Sequence, residues 1–134
     1  MKMKAIIILL CLAVSFAFAR PTLLIIDSTG SMSGSLAGGE TKLDAAKAAA
    51  KQIVNSANDE IALMVYTDCD SGGDYNSGGV RLLVPFTTDK QQIISEIDSL
   101  SPESDTAISK AIEEASSYVS SSGRNAAVIL LTDG

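Results

Sequence analysis

The sequence has 134 residues, 46 % apolar and only 4 % aromatic, with 16 acidic against 10 basic side chains and a formal charge of −6. That length suits one domain, and an aliphatic core suits a helix-covered parallel sheet better than a β-sandwich. The acidic balance excludes nucleic acid and anionic membrane surfaces as partners; the absence of histidine excludes Ser-His-Asp and Cys-His catalysis and every His-ligated zinc site.

Residues 1–19 read as a secretory leader. Lys2 and Lys4 form a basic start, residues 5–16 are apolar apart from Ser15, and Ala17-Phe18-Ala19 supplies small residues for cleavage before Arg20. The apolar run is shorter than the ~20 residues a bilayer-spanning helix needs. An uncleaved anchor is the alternative, and the only membrane attachment the sequence offers. Cys11 is no lipoprotein cysteine, because Leu10 stands where a small residue is required. Loss of Lys2 and Lys4 moves the charge from −6 to −8. Cys69 is then the one cysteine of the mature chain, so its partner lies outside this sequence or it is a free thiol. The mature chain, residues 20–134, is expected at the cell surface or secreted.

Residues 22–26 are a continuous β-branched and aliphatic run, the signature of a strand covered on both faces. Residues 28–40 contain Gly30, Gly34, Gly38 and Gly39 and are expected to lack regular structure. Thr41-x-x-Asp44 reads as a capping box, and Leu43, Ala46, Ala50, Ile53, Val54 and Ala57 fall on one helical face before Asn58-Asp59. Residues 61–67 form the second strand, residues 68–79 a loop, and residues 80–86 the third strand, where Pro85 favours an edge. With no helix between them, strands two and three should pair antiparallel. Thr88-x-x-Gln91 is expected to cap a second helix with Ile93, Ile94, Ile97 and Leu100 inward, stopped by Ser101-Pro102. Residues 106–120 form a third helix carrying Ala107, Ile108, Ala111, Ile112, Ala115 and Val119, and residues 126–131 a fourth apolar strand. The expected fold is therefore α/β: a doubly wound, Rossmann-like three-layer αβα sheet, mostly parallel, with one antiparallel edge strand.

Ligands of such sheets bind beyond the carboxyl ends of the strands. Asp27 and Asp133 each follow a buried strand and should share that rim. With Thr29, Ser31 and Thr106 they make a set of two carboxylates and three hydroxyls, all hard oxygen donors. Mg²⁺ takes six oxygens at about 2.1 Å and keeps several waters; Mn²⁺ accepts the same set. Alternate residues of an extended Asp27-x-Thr29-x-Ser31 turn would point the same way, with Gly30 allowing a tight turn.

Residues 24–32, with Asp27-Ser28-Thr29-Gly30-Ser31, resemble the first motif of von Willebrand factor type A domains, the Asp-x-Ser-x-Ser of the metal-ion-dependent adhesion site. Asp105-Thr106-Ala107-Ile108 resembles the second element and Leu130-Leu131-Thr132-Asp133-Gly134 the third. The resemblance spans residues 21–134. It implies that Asp27, Thr29, Ser31, Thr106 and Asp133 hold Mg²⁺, or Mn²⁺ or Ca²⁺, leaving one position open to a Glu or Asp of a partner protein. It also implies adhesion or protein binding without catalysis. Thr29 replaces the commoner Ser, and Ser104-Asp105 replace the usual paired glycines. The family's sheet, ordered 3-2-1-4-5-6, normally continues past strand four, so residues 20–134 are expected to be its N-terminal two-thirds, with strand four an open edge.

Three rival readings compete. Asp27 and Ser31 could simply cap a turn and a helix. A phosphate-binding loop at residues 30–39 lacks the Gly-Lys-Ser/Thr that reaches the phosphates. A metal-dependent phosphoryl-transfer enzyme or hydrolase with Asp27 at its active site would need a second carboxylate where Thr29 stands. The loop Asp68-x-Asp70-x-x-x-Asp74-x-Asn76 resembles a Ca²⁺ loop, but Gly72 occupies a ligand position and no bidentate Glu follows.

Overall fold

The computed structural model describes residues 20–66, 79–103 and 108–133. Residues 1–19 expected as the leader, Cys69 with most of the 68–79 loop, Ser104, Asp105, Thr106, Ala107 and Gly134 lie outside the described residues.

Four strands form one sheet in the order β3-β2-β1-β4. They are β1 (Thr22–Asp27), β2 (Ile61–Tyr66), β3 (Val80–Thr87) and β4 (Ala127–Leu131). β1 pairs parallel with both β2 and β4, with Thr22 beside Ile61 and Ala127, and Asp27 beside Tyr66. β2 and β3 pair antiparallel, as a helix-free connection requires. Register shifts interrupt that pair around Leu63, and Pro85 of the outer strand is exposed there, where a missing N–H breaks no ladder.

Side chains alternate across the pleat, so β1 feeds two cores at once. Leu24 and Ile26 join Leu63, Val65 and Val84 beneath α1 (Lys42–Ser56) and α2 (Lys90–Asp98). Leu23 and Ile25 join Ala62, Met64 and Tyr66 beneath α3 (Ile108–Ser122). The result is the expected three-layer α/β arrangement with an antiparallel edge strand. The Thr41 box closes as its sequence predicts: Thr41 Oγ1 accepts from Asp44 N at 3.0 Å, and Asp44 Oδ2 accepts from Thr41 N at 3.4 Å. Leu43, Ala50 and Val54 of α1 are buried.

Other expectations are corrected. The 28–40 segment contains one turn of 3₁₀ helix, Gly30–Ser33. α2 is capped by Asp89, whose Oδ1 accepts from Gln92 N at 3.2 Å, one residue after Thr88; Asp outranks Thr as a cap. The helix ends at Asp98, ahead of the Ser101-Pro102 stop. Ile108 and Ile112 of α3 are 39 % and 54 % exposed, and Val128 of β4 is 50 % exposed. β4 ends the sheet among the described residues, and the helix layer does not close over Val128. Arg124 anchors the start of β4: its guanidinium pairs with Glu60 at 2.6 and 3.1 Å and lies 4.8 Å over the Phe86 ring.

Candidate functional site

The carboxyl ends of β1 and β4 lie side by side, which brings Asp27, Thr29, Ser31 and Asp133 together. Thr29 Oγ1 donates to Asp27 Oδ1 at 2.6 Å and lies 3.2 Å from Ser31 Oγ, which in turn donates to Asp133 Oδ1 at 3.3 Å. The four predicted donors in the described residues thus form one contiguous chain of oxygens. Thr106 lies outside those residues. Glu103, three residues earlier in sequence, is described: it bridges to Thr29, and its N–H donates to Ser28 O at 2.8 Å.

Asp27 is the fixed end of the chain. It closes β1, is 3 % exposed and has donors on both oxygens. Thr29 N reaches Oδ1 at 2.9 Å, as in an Asx turn. Thr132 Oγ1, from the residue after β4, donates to Oδ2 at 2.7 Å, and Tyr66 OH donates to Thr132 Oγ1 at 2.9 Å. A turn cap explains the first contact but not the cross-strand pair. Burial pushes the Tyr66 phenol well above its ordinary value, opposed by the Thr132 hydrogen bond and aided in smaller measure by Asp27 and then Asp133.

The hydroxyls converge through the 3₁₀ turn and not through an extended one. Thr29 caps that turn in extended conformation without a side-chain cap bond, leaving its hydroxyl to reach back to Asp27. Gly30 is needed for space, since a Cβ there would meet the Glu103 carbonyl oxygen at 3.1 Å. The glycine thus admits the 101–103 segment to the site, whereas the sequence suggested turning freedom.

Asp133 is the more exposed end. Its Oδ2 meets Lys42 Nζ at 2.9 Å, and the two side chains are 18 % and 37 % exposed. The Lys42 ammonium, and secondarily the Ser31 hydroxyl, hold the Asp133 carboxyl below its ordinary value against a smaller desolvation effect. Beside it a groove of about 380 Å³ runs between α1 and β4, walled by Met32, Leu36, Lys42 and Leu131 among others.

Chemically, both hydroxyl hydrogens are directed to carboxylates, so the Thr29 and Ser31 oxygens retain lone pairs for a hard cation. Among the described residues no three His, Cys, Asp or Glu side chains cluster. The donor set is therefore hydroxyl-rich and low in charge, unlike a soft thiolate site or a carboxylate-dense Ca²⁺ cage. Sequence reasoning missed Tyr66, Thr132 and Lys42. Tyr66 enters through parallel register with Asp27, which no local pattern reveals. Lys42 did leave a trace, a basic residue in the first turn of a helix, where the dipole disfavours it.

Comparison with known proteins agrees with this architecture. Among curated proteins none matches the sequence. In fold the chain is similar to the vWF domain of the type V pili tip protein Mfa5 from Porphyromonas gingivalis, with a TM-score of 0.66 and 22 % identity over 88 % of this chain and 38 % of that one. It is also similar to an uncharacterized membrane spanning protein from Vibrio fischeri, with a TM-score of 0.62 and 20 % identity over 78 % of this chain and 51 % of that one. The chain therefore spans about half of these solved chains or less. Residues 22–134 match the von Willebrand factor type A domain family along their whole length, and the chain belongs to that family.

Proposed function

We propose that this chain is a metal-dependent protein-binding module of a secreted or cell-surface protein, using Mg²⁺ or Mn²⁺ to grip a Glu or Asp carboxylate of a partner. The observation that carries this reading is the unbroken oxygen chain Asp27–Thr29–Ser31–Asp133 at one rim of the sheet. These residues would hold the ion, with Thr106 as the fifth donor expected from the sequence. The bound ion supplies a positive centre with an open coordination position for an incoming carboxylate.

The chain's own residues prepare that centre. Asp27 and Asp133 orient the Thr29 and Ser31 hydroxyls by accepting their hydrogens, and Tyr66 and Thr132 lock the second Asp27 oxygen. Two carboxylates match a divalent charge, so a third, from the partner, is not repelled. The reading involves no catalysis. Asp27 is buried with donors on both oxygens, which makes it a poor nucleophile for phosphoryl transfer. The leader read from residues 1–19 favours export, and the occurrence of a similar fold in a type V pili tip protein favours a binding role. Among the described residues no helix is long and apolar enough to cross a membrane.

Calorimetric titration with MgCl₂ and MnCl₂ tests the proposal. Asp27→Asn keeps the shape of the buried side chain and is expected to abolish cation binding while circular dichroism stays native. Cation binding by that variant with wild-type affinity would overturn it.

A further inference from the structure

Lys42 is an unusual residue for its place. It is the first residue of α1, where the helix dipole favours acids, and Asp44 already supplies one. Its ammonium points away from the helix to Asp133, 91 residues on, at 2.9 Å. Its aliphatic stem crosses Gly34: a Cβ at that glycine would lie 3.5 Å from Lys42 Cε and 3.8 Å from Cδ, besides crowding Ser31 O at 3.2 Å. The backbone locks the crossing, since Lys42 N donates to Gly34 O at 2.9 Å. The lysine is thus led over a cleared path to the outer end of the oxygen chain.

We propose that Lys42 is a tethered cation that competes with the divalent ion for Asp133, so that loading the site requires the ammonium to leave. This rests on the metal reading above and adds a regulation to it. Asp133 Oδ1 holds Ser31 while Oδ2 holds Lys42. A divalent ion reached through Asp133 therefore meets a unit positive charge one carboxylate away. Removing that charge relieves repulsion and frees an acceptor oxygen, and both effects favour the divalent ion. At such separations in a water-facing site the gain is about tenfold in affinity. The same contact gives the metal-free protein a substitute for the ion, holding Asp133 in position when divalent cation is scarce.

The test is calorimetric titration of the full chain with MgCl₂ and MnCl₂, using wild type, Lys42→Met, Lys42→Arg and Asp27→Asn, with thermal melting in parallel. Lys42→Met is expected to bind about tenfold more tightly than wild type, and Lys42→Arg to stay near wild type. Without metal, Lys42→Met should melt below wild type; added Mg²⁺ should raise its Tm by more than it raises the wild-type value, because tighter binding stabilises more at a given concentration. Equal or weaker binding by Lys42→Met, with Asp27→Asn inactive, overturns the role of Lys42 and leaves the metal site standing. Unaltered binding by Asp27→Asn, or no binding by wild type and Lys42→Met alike, overturns the metal site itself and the competition with it.

Discussion

β1 and β4 carry nearly the same residues, Leu-Leu-Ile-Ile in one and Val-Ile-Leu-Leu in the other, yet live in opposite surroundings. Every residue of β1 is buried, because it has a strand on each side and a helix layer on each face. No residue of β4 is fully buried, and Val128 is half exposed. Burial is thus a property of position in the sheet order, and apolar composition alone cannot report it. The difference reaches the site. Asp27, at the end of β1, is locked by donors from Thr29 and Thr132, whereas Asp133, just past β4, shares its contacts between Ser31 and a half-exposed lysine. One half of the site is buried with donors on both carboxylate oxygens, and the other is partly exposed and held by an ion pair.

That contrast can be broken most directly by truncation. Leu24→Ala on β1 should cost about 2–5 kcal/mol, the range for a fully buried leucine, read as a lowered urea midpoint. Val128→Ala on β4 should stay within about 0.5 kcal/mol, as for surface substitutions. Equal losses would mean that β4 is covered in solution. At the buried end of the site, Tyr66→Phe removes one part-buried hydrogen bond and should cost about 1 kcal/mol. It should also weaken cation binding modestly by loosening Thr132, whereas an unchanged cation affinity would detach Tyr66 from the site.

The β4 anchor offers a pH test. The Arg124 hydrogen bond, opposed by slight desolvation, holds the Glu60 carboxyl below its usual 4.5. The pair therefore stabilises the fold fully above that value, and its contribution disappears as pH falls through the lowered folded-state value. The Tm difference between wild type and Arg124→Gln should accordingly be present at neutral pH and close as the pH falls through the lowered Glu60 value; a gap that persists in acid would assign Arg124's role to its contact with Phe86. Smallest in stability is Val128→Lys, which should leave the urea midpoint unchanged while reducing any self-association seen by light scattering, since a charge on the last strand of the described sheet disfavours strand pairing.

The elements whose signals are local were legible in the sequence. The Thr41–Asp44 box, the inward face of α1 and the antiparallel β2–β3 pair came from spacing and loop length, and stand in the structure as expected. Asp27, Thr29, Ser31 and Asp133 were legible as neighbours for the same reason: each follows a strand end or sits in the short motif after β1. The α2 cap slipped by one residue because Thr88 and Asp89 compete for one role, and only the three-dimensional position of Gln92 N decides between them.

The sequence by itself determined the order of the strands and α-helices, and that two carboxylates would follow neighbouring strands, because hydrophobic period and capping chemistry act over a few residues. Tertiary structure alone decided that Ile112 and Val128 meet water, that Tyr66 supports Asp27 through Thr132, and that Lys42 reaches Asp133 across 91 residues. Those outcomes depend on strand order and register. They arise from summed long-range packing, in which a side chain's neighbours are set by elements far away in sequence.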